Sequence, residues 1–401
     1  MFLDLLRRRN PAFLEAAISL HQSGALPPNT YVVDLDTVQA NARLIKAEAD
    51  KFGLEVFAMT KQLGRNPDVC RTLQRAGLDT VVAVDMPDAR ATTRAGMRLG
   101  HLGHLVQVPR GQAAEAAALD PANWTVFSEN KAREAAAASR ALGRDQALLA
   151  RVVAAGDTFY RSQEGGFVID EGRDINEIAM LFDALDGAHF AGITTFPALL
   201  FDAAARTVQP TPNLETLHRT VEALAKAGRE GIRVNAPGTT SSVMLEALAN
   251  AGATQVEPGH GLTGTTPLHA TRDLPEVPAV AYLSEVSHLH RGEAWAFGGG
   301  LYVDPVFPPY QARALVSGSP TVSADALYDV EIPDPATIDY YAPIGGFPEG
   351  AIREGDTVLF GFRIQAFVTR AYVAGIRGIA TGRPEVAGIH AADGSAADLP
   401  G

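Results

Sequence analysis

Lysine is scarce in this chain of 401 residues, and one of its five lysines stands apart from the others. Lys61 directly follows a β-rich run at residues 56–60, whereas the other four lie in predicted helices or at their ends, where a solvated amine is expected. At a strand end, a lysine can bind phosphate as a point charge, form a salt bridge or, when partly desolvated, attack an aldehyde to give an imine. Residue type and spacing leave these three roles open, beside that of an ordinary surface lysine.

Two segments that combine glycine with hydroxyl side chains could bind a phosphate group. The first, residues 235–242, reads Asn-Ala-Pro-Gly-Thr-Thr-Ser-Ser and leads into a predicted helix, and the second, residues 257–266, reads Glu-Pro-Gly-His-Gly-Leu-Thr-Gly-Thr-Thr. Backbone N–H groups and hydroxyls in such segments can bind an anion, although Thr239 or Thr240 could equally be an ordinary helix cap. Together with a strand-end lysine, the two segments predict a phosphate site.

The elements that must position these residues are short β-rich runs that alternate with helices ending at glycine. The predicted strands are residues 31–34, 56–60, 80–84, 104–108, 125–128, 148–153, 190–195, 232–235 and 255–257. Such alternation is typical of parallel βα units. We therefore predict an α/β fold with a (β/α)8 TIM-type barrel, and a doubly wound open sheet is the alternative. In a barrel, the carboxyl ends of the strands face the active site, and the loops after the last two strands often bind phosphate.

The pattern changes after residue 270, where frequent prolines exclude long helices. Strand-like runs at residues 279–286, 312–316, 357–362 and 366–374 predict a mostly antiparallel β domain, and the residues from about 385 onward are expected to form a loosely structured tail. The resulting division is an N-terminal helical segment packing on the body at 1–27, the barrel at 28–270 and the β domain at 271–401.

Composition excludes several classes of function. The net charge of −12 and the absence of a basic stripe argue against a nucleic-acid partner. Cys70 is the only cysteine, so a disulfide within the chain and a cysteine-based zinc site are both excluded; we predict no metal. No apolar run reaches the roughly 18 residues needed to span a bilayer, and the N-terminus does not resemble a signal peptide. We therefore expect a cytoplasmic protein without a membrane partner.

The segment at residues 57–67 around Lys61, together with the loops at 237–242 and 257–266, resembles the fold-type III, alanine-racemase-like enzymes, and in particular their YhfX-like branch. The resemblance extends over nearly the whole chain. It implies pyridoxal 5′-phosphate as the cofactor and an amino acid, a small molecule, as the substrate. It also implies a head-to-tail homodimer, in which residues from the partner's β domain complete each active site.

The resemblance assigns roles to residues on both sides of the cofactor. Lys61 would form the imine, and Arg65 would reach the phosphate or a substrate carboxylate. Arg151 would face the phenolic oxygen or a substrate carboxylate. The residues expected to hold the phosphate are Gly238, Thr239, Thr240, Ser241, Gly259 and His260.

Glu257 bears on the mechanism. Alanine racemases have an arginine at the matching place beside the pyridine nitrogen, whereas related decarboxylases have a glutamate. A carboxylate at that position favours a protonated nitrogen, which makes the ring a better electron sink for a carbanion at the substrate Cα. An ordinary salt-bridged carboxylate is the alternative interpretation.

A racemase needs a second acid–base group, and the sequence is ambiguous about it. Phe297 stands where alanine racemases carry a tyrosine, and Tyr302 is the nearest replacement unless it is simply a half-buried strand tyrosine. The first hypothesis is therefore an amino-acid racemase or epimerase. The second is a decarboxylase, an aldolase or another lyase that uses the same cofactor. A non-catalytic cofactor carrier and a barrel enzyme without an imine are further alternatives.

Overall fold

A computed structural model of the chain describes residues 1–169, 174–303, 310–320, 326–334 and 336–399. The α-helices are α1 (Phe2–Arg9), α2 (Pro11–Gln22), α3 (Leu35–Lys51), α4 (Pro67–Arg75), α5 (Met86–Arg94), α6 (Ala113–Ala118), α7 (Glu129–Arg140), α8 (Ile175–Asp183), α9 (Pro212–Lys226) and α10 (Leu245–Asn250). None of these helices is long and apolar enough to cross a membrane.

The strands are β1 (Thr30–Asp34), β2 (Glu55–Val56), β3 (Thr80–Ala83), β4 (Arg98–Leu102), β5 (Asn123–Val126), β6 (Gln146–Val153), β7 (Phe167–Val168), β8 (Ala188–Thr194), β9 (Leu199–Asp202), β10 (Thr207–Pro210), β11 (Arg233–Asn235), β12 (Gln255–Val256), β13 (Val280–His290), β14 (Glu293–Phe297), β15 (Arg313–Ser317), β16 (Leu327–Val330), β17 (Tyr341–Gly345), β18 (Thr357–Phe360), β19 (Tyr372–Arg377) and β20 (Glu385–Ala391). Short 3-10 helices occur at Lys61–Leu63, Arg110–Gln112, Ser242–Met244, Pro267–Ala270, Ala366–Val368 and Ile379–Thr381.

Eight parallel strands form the predicted barrel. Their order is β2-β12-β11-β8-β6-β5-β4-β3, and a parallel bridge between Ala58 and Val81 joins the two ends. All eight residues of β6 and all four of β5 are buried, as expected for strands covered on both faces. The predicted fold class, a TIM-type barrel with an antiparallel β domain, is confirmed.

Two of the predicted barrel strands are wrong. Residues 31–34 form β1, which pairs with β13 and β19 in the other sheet, so the first barrel strand is β2. Residues 104–108 form no strand, because the real strand β4 lies earlier, at Arg98–Leu102. The strand β4 was not predicted because it contains Gly100, and glycine is depleted in strands. A Cβ at that position would lie 2.4 Å from the Phe57 ring, so the close approach requires glycine.

The second sheet belongs to the antiparallel β domain. Its order is β14-β17-β16-β15-β18-β13-β1-β19-β20, and the additional pairing of β14 with β13 closes six of these strands into a barrel. Two details of the prediction are wrong here. Residues 366–374 begin with a 3-10 helix, so β19 starts only at Tyr372. The expected loose tail contains β20, which pairs antiparallel with β19.

The helices α1 and α2 pack on this second sheet. Leu6, Phe13 and Ile18 are buried in one apolar core with Val32 and Leu283 of the strands. The chain accordingly divides into two compact units, one of Met1–Ala42, Thr60–Ala76 and Leu262–Gly401 and the other of Arg43–Met59 and Gly77–Gly261. These units do not follow the predicted boundaries at residues 28 and 270, because β1 and the segment that carries Lys61 belong to the unit of the β domain.

Candidate active site

Glu257 follows β12, and its buried carboxylate is hydrogen-bonded in the interior of the parallel barrel. Its Oε1 lies 2.5 Å from Nδ1 of His101 on β4 and accepts a 2.9 Å hydrogen bond from Nδ2 of Asn235 on β11. Because β4 and β12 are not neighbours in the sheet, the contact with His101 crosses the barrel interior. Thr125 and Thr194 extend the network, with 2.6 Å from Thr125 Oγ1 to His101 Nε2 and 2.8 Å from Thr194 Oγ1 to Asn235 Oδ1.

The charge of Glu257 follows from these neighbours. Burial alone would raise the pKa of this carboxyl, but the charges of His104 and His101 and hydrogen bonds from His101 and Asn235 hold the pKa below its ordinary value. Within the described residues, Oε2 accepts no hydrogen bond, and His104 Nε2 lies 3.5 Å from it. Glu257 is therefore a buried carboxylate with one saturated oxygen and one oxygen available to a donor.

His101, His104 and Glu257 also form a group that could hold a metal ion, since their ligand atoms all lie within 4.8 Å of one another. This cluster is absent from the sequence predictions, because only zinc sites that contain cysteine were considered there. The signal was present as two histidines three residues apart around the end of a strand. The hydrogen bonds of His101 argue for a polar network instead, because both of its ring nitrogens already have partners in Thr125 and Glu257.

Arg151 on β6 is a buried cation beside aromatic rings. Its guanidinium carbon lies 4.7 Å from the centre of the Phe127 ring, and Nη2 donates a 2.8 Å hydrogen bond to the carbonyl of Gln163. Burial lowers the pKa of Arg151 to about 10, against a smaller opposing effect of Glu164. In the described part of the chain, Nε and Nη1 have no hydrogen-bond acceptor. A guanidinium in this state can bind an anion.

Residues 235–242 and 257–261 of the two predicted phosphate loops belong to the barrel unit and lie side by side there. A Cβ on Gly261 would lie 2.5 Å from the carbonyl oxygen of Thr240, and one on Gly238 would lie 2.7 Å from the backbone of Leu199. The Ser241 side chain is buried, and its hydroxyl has no hydrogen-bond partner among the described residues. The remaining predicted phosphate residues, Thr239, Gly259 and His260, are half-buried.

Lys61 begins a 3-10 helix in the unit that contains the β domain. The preceding Met59 still belongs to the barrel, where its N–H donates to the carbonyl of Pro258. Lys61 Nζ lies 5.2 Å from the centre of the Phe367 ring, and the Arg65 guanidinium lies 5.3 Å from the same ring. Arg65 is almost fully buried and donates a hydrogen bond of 3.4 Å to the carbonyl of Ala392. Its predicted role toward a cofactor stays a prediction.

The candidates for the second acid–base group lie in the β domain. Phe297 ends β14, and its ring lies 5.8 Å from that of Tyr341. Tyr302 follows in an irregular segment and is 43% exposed. A tyrosine this exposed is available to a ligand, but no contact within the described residues gives it a catalytic role.

Comparison with known proteins identifies the family. Residues 33–267 match the model of the alanine racemase N-terminal domain, and residues 281–386 match that of the YhfX-like C-terminal domain. The chain belongs to the fold-type III family of pyridoxal-phosphate enzymes. It is 40% identical to the uncharacterized protein YhfX of Escherichia coli (strain K12) over 395 residues, which is 97% of both chains.

Solved structures of this family share the fold at low sequence identity. D-threonine aldolase from Filomicrobium marinum has a TM-score of 0.67 at 17% identity, over 92% of this chain and 96% of its own. D-threo-3-hydroxyaspartate dehydratase from Delftia sp. HT23 has a TM-score of 0.65 at 16% identity, over 90% and 97%. An alanine racemase of Clostridium difficile 630 has a TM-score of 0.60 at 14% identity, over 92% and 99%. The fold is therefore common to enzymes with three different reactions.

Proposed function

We propose that this chain is a pyridoxal-phosphate-dependent enzyme that acts at the Cα of an amino acid. The observation that carries the proposal is the buried Glu257, whose Oε1 takes two hydrogen bonds while Oε2 takes none within the described residues. A carboxylate in that state favours a protonated nitrogen beside it. The pyridine nitrogen of the family's cofactor can supply such a group.

The polar groups of the barrel unit fit this cofactor. Glu257 Oε2 is an acceptor for a pyridinium N–H, and the Ser241 hydroxyl is a donor for a phosphate oxygen. The Nε and Nη1 atoms of Arg151 are donors for a phenolic oxygen or a carboxylate. Buried polar groups are normally hydrogen-bonded in native proteins. These three groups therefore support the binding of a ligand that has a positively charged N–H group and negatively charged oxygens.

We assign the remaining roles on the same basis. Lys61 attaches the cofactor through Nζ, and Arg65 supports the phosphate or the substrate carboxylate. The phosphate is held by Gly238, Thr239, Thr240, Ser241, Gly259 and His260. When bound, the cofactor withdraws electrons from the Cα of the amino acid. The matched alanine racemase N-terminal domain spans all of these residues.

Racemization or epimerization is the reaction we propose first. Lys61 takes the Cα proton on one face, and Tyr302 delivers a proton on the other. In keeping with the family, we propose that the enzyme is a homodimer, that its substrate is an amino acid and that it works in the cytosol.

A lyase reaction is the second candidate, and Phe297 favours it. Phenylalanine cannot transfer a proton, so the strand β14 lacks an acid–base group at the end where the resemblance places a tyrosine. With Lys61 as the single acid–base group, cleavage of the bond from Cα to the carboxylate or to Cβ, in place of the bond to hydrogen, would release carbon dioxide or an aldehyde, and Cα would then be protonated.

Incubation of the cofactor-loaded enzyme with single enantiomers of amino acids tests the proposal. Chiral chromatography detects inversion, and assays for carbon dioxide and aldehyde detect the lyase reactions, because only racemization conserves mass. We expect one of these activities in the wild type and none in Lys61→Ala. Inversion without loss of mass supports the first candidate, and release of carbon dioxide or aldehyde supports the second. Protein that takes up no pyridoxal phosphate would contradict the whole proposal.

A further inference from the structure

The carboxylate of Glu257 belongs to a continuous chain of buried side chains within the barrel unit. The chain runs from Thr125 through His101 to Glu257 and on through Asn235 to Thr194. All five side chains are buried, none of them more than 3% exposed. Each link is 2.9 Å or shorter, so the network is closely bonded over its full length.

The arrangement of donors around Glu257 is asymmetric. His101 and Asn235 both approach Oε1, which fixes the rotation of the carboxylate about its terminal bond and leaves Oε2 on the opposite side. Hydrogen bonds to a charged group are among the strongest in proteins, and in a buried site they offset part of the cost of desolvating the carboxylate. The hydrogen bond between Thr125 Oγ1 and His101 Nε2 orients the imidazole ring so that Nδ1 faces Glu257. Functional histidines are commonly oriented in this way by a hydrogen bond to their other ring nitrogen.

We propose that His101, anchored by Thr125, is a positioning residue that holds Glu257 as a carboxylate with Oε2 directed to the pyridine nitrogen of the cofactor. The inference rests on the proposed function, since it needs the ring nitrogen beside Oε2. His101 thereby determines the protonation of that nitrogen without touching it. The network thus controls how strongly the ring withdraws electrons from the substrate.

The close contact between His101 and Glu257 argues against the alternative that the same residues are ligands of a metal ion. Two ligand atoms bound to one metal at about 2.1 Å from each atom lie about 3 Å or more apart. The 2.5 Å between His101 Nδ1 and Glu257 Oε1 is a direct hydrogen bond with no room for an ion between these two atoms.

The test measures the protonation state of the pyridine nitrogen directly. Pyridoxal phosphate labelled with ¹⁵N in the ring is bound to the wild type and to His101→Phe, and the ¹⁵N chemical shift is recorded near neutral pH. We expect the shift of a protonated nitrogen in the wild type and a displacement toward the unprotonated value in His101→Phe. His101→Asn should recover part of the wild-type shift, since its amide can donate from a position near Nδ1. Thr125→Val should move the shift in the same direction as His101→Phe, but less.

His269→Phe is the matched control. His269 is equally buried, lies 2.7 Å from a threonine hydroxyl, Thr266 Oγ1, and 3.6 Å from a glutamate oxygen, Glu276 Oε2, but belongs to the other compact unit. We expect it to leave the nitrogen shift unchanged. If His101→Phe does not fold, Thr125→Val decides the question, because a wild-type nitrogen shift in a folded Thr125→Val would contradict the proposal.

The outcomes separate this inference from the proposed function. If the wild type binds no pyridoxal phosphate, the proposed function and this inference are both wrong. A wild type that binds it, with the same nitrogen shift in His101→Phe, overturns the role of His101 and leaves the cofactor assignment intact. Stoichiometric binding of Zn²⁺ by the cofactor-free wild type, lost in His101→Phe, would also overturn the inference, because His101 would then be a ligand.

Discussion

Asp68 and Glu257 are two of the buried carboxylates that are paired with histidine in the described part of the chain, and they are bonded in different ways. Asp68 on α4 uses both oxygens, with Arg71 at 2.6 Å from Oδ1 and His390 on β20 at 3.1 Å from Oδ2. Glu257 takes both of its hydrogen bonds on Oε1. The first arrangement saturates the carboxylate and connects a helix to a strand, whereas the second keeps one oxygen available. We propose that the difference separates a carboxylate that stabilises the fold from one that binds a ligand.

The pKa values of the two groups follow the same distinction. The hydrogen bond from His390 lowers the pKa of Asp68 to about 2, with further help from Arg71 against the effect of burial. For Glu257, burial is the largest effect and acts in the opposite direction, so two histidines and Asn235 are needed to hold the pKa below its ordinary value. The ionised state of Glu257 in the barrel interior thus depends on His104, His101 and Asn235.

The largest expected effect concerns Lys61, which lies seven residues before Asp68 on the same segment. Lys61→Ala removes the proposed base and attachment point, so we expect activity to fall by at least about 10³-fold. Steady-state assays with the substrate found by enantiomer screening measure this. Lys131→Ala is the control, since Lys131 lies at a surface ion pair with Glu134 and should keep full activity. Substantial activity in Lys61→Ala would exclude the proposed base.

Glu257→Gln should have the next largest effect, because it removes the negative charge and keeps the size of the side chain. We expect a loss of roughly 10²-fold in kcat. Asp68→Asn is the matched change at the other carboxylate and should leave kcat near that of the wild type. Equal losses in both variants would mean that the two carboxylates do not differ in role.

Asp68→Asn should instead reduce stability. Loss of the charged hydrogen bonds to His390 and Arg71 should lower the free energy of unfolding by about 2 kcal/mol, as measured by urea denaturation. Arg71→Gln should have a smaller effect, because its side chain is 49% exposed and such pairs contribute little. An unchanged midpoint in Asp68→Asn would show that β20 is held without this contact.

The smallest expected effect is a pH dependence. Both carboxyls have folded-state pKa values below their ordinary values of 3.8 for Asp68 and 4.5 for Glu257. The unfolded chain therefore binds more protons in acid, and the stabilisation, complete above these values, is lost as the pH falls through the folded-state pKa. Unfolding measured between pH 5 and pH 2 should show a shallower decline in Asp68→Asn, mainly between 3.8 and about 2. A decline as steep as in the wild type would show that Asp68 does not contribute.

Much of the fold could be predicted from the sequence because alternating β runs and glycine-terminated helices are local signals. Two of the predicted barrel strands were wrong. The strand β4 contains Gly100, whose presence depends on the distant Phe57 ring, and β1 has the composition of a barrel strand although its hydrogen bonds go to the other sheet. Local composition does not encode either contact.

The candidate site could be predicted only in part. Lys61, Arg151, Glu257 and the two loops have signals in residue type and position at strand ends. His101 was missed because its strand was misplaced by a few residues, and Asn235 was considered only as the start of a loop. Their roles depend on hydrogen bonds between strands that lie far apart in sequence, which spacing along the chain does not reveal.

Chemical trapping directly tests the proposal that Lys61 binds the cofactor covalently. Wild-type protein loaded with pyridoxal phosphate is reduced with borohydride, digested and analysed by mass spectrometry. We expect the added phosphopyridoxyl mass on the peptide that contains Lys61. The peptides that contain the other four lysines should not carry it; these are Lys46, Lys51, Lys131 and Lys226. Label on one of those four in place of Lys61, or no label at all, would contradict the proposal.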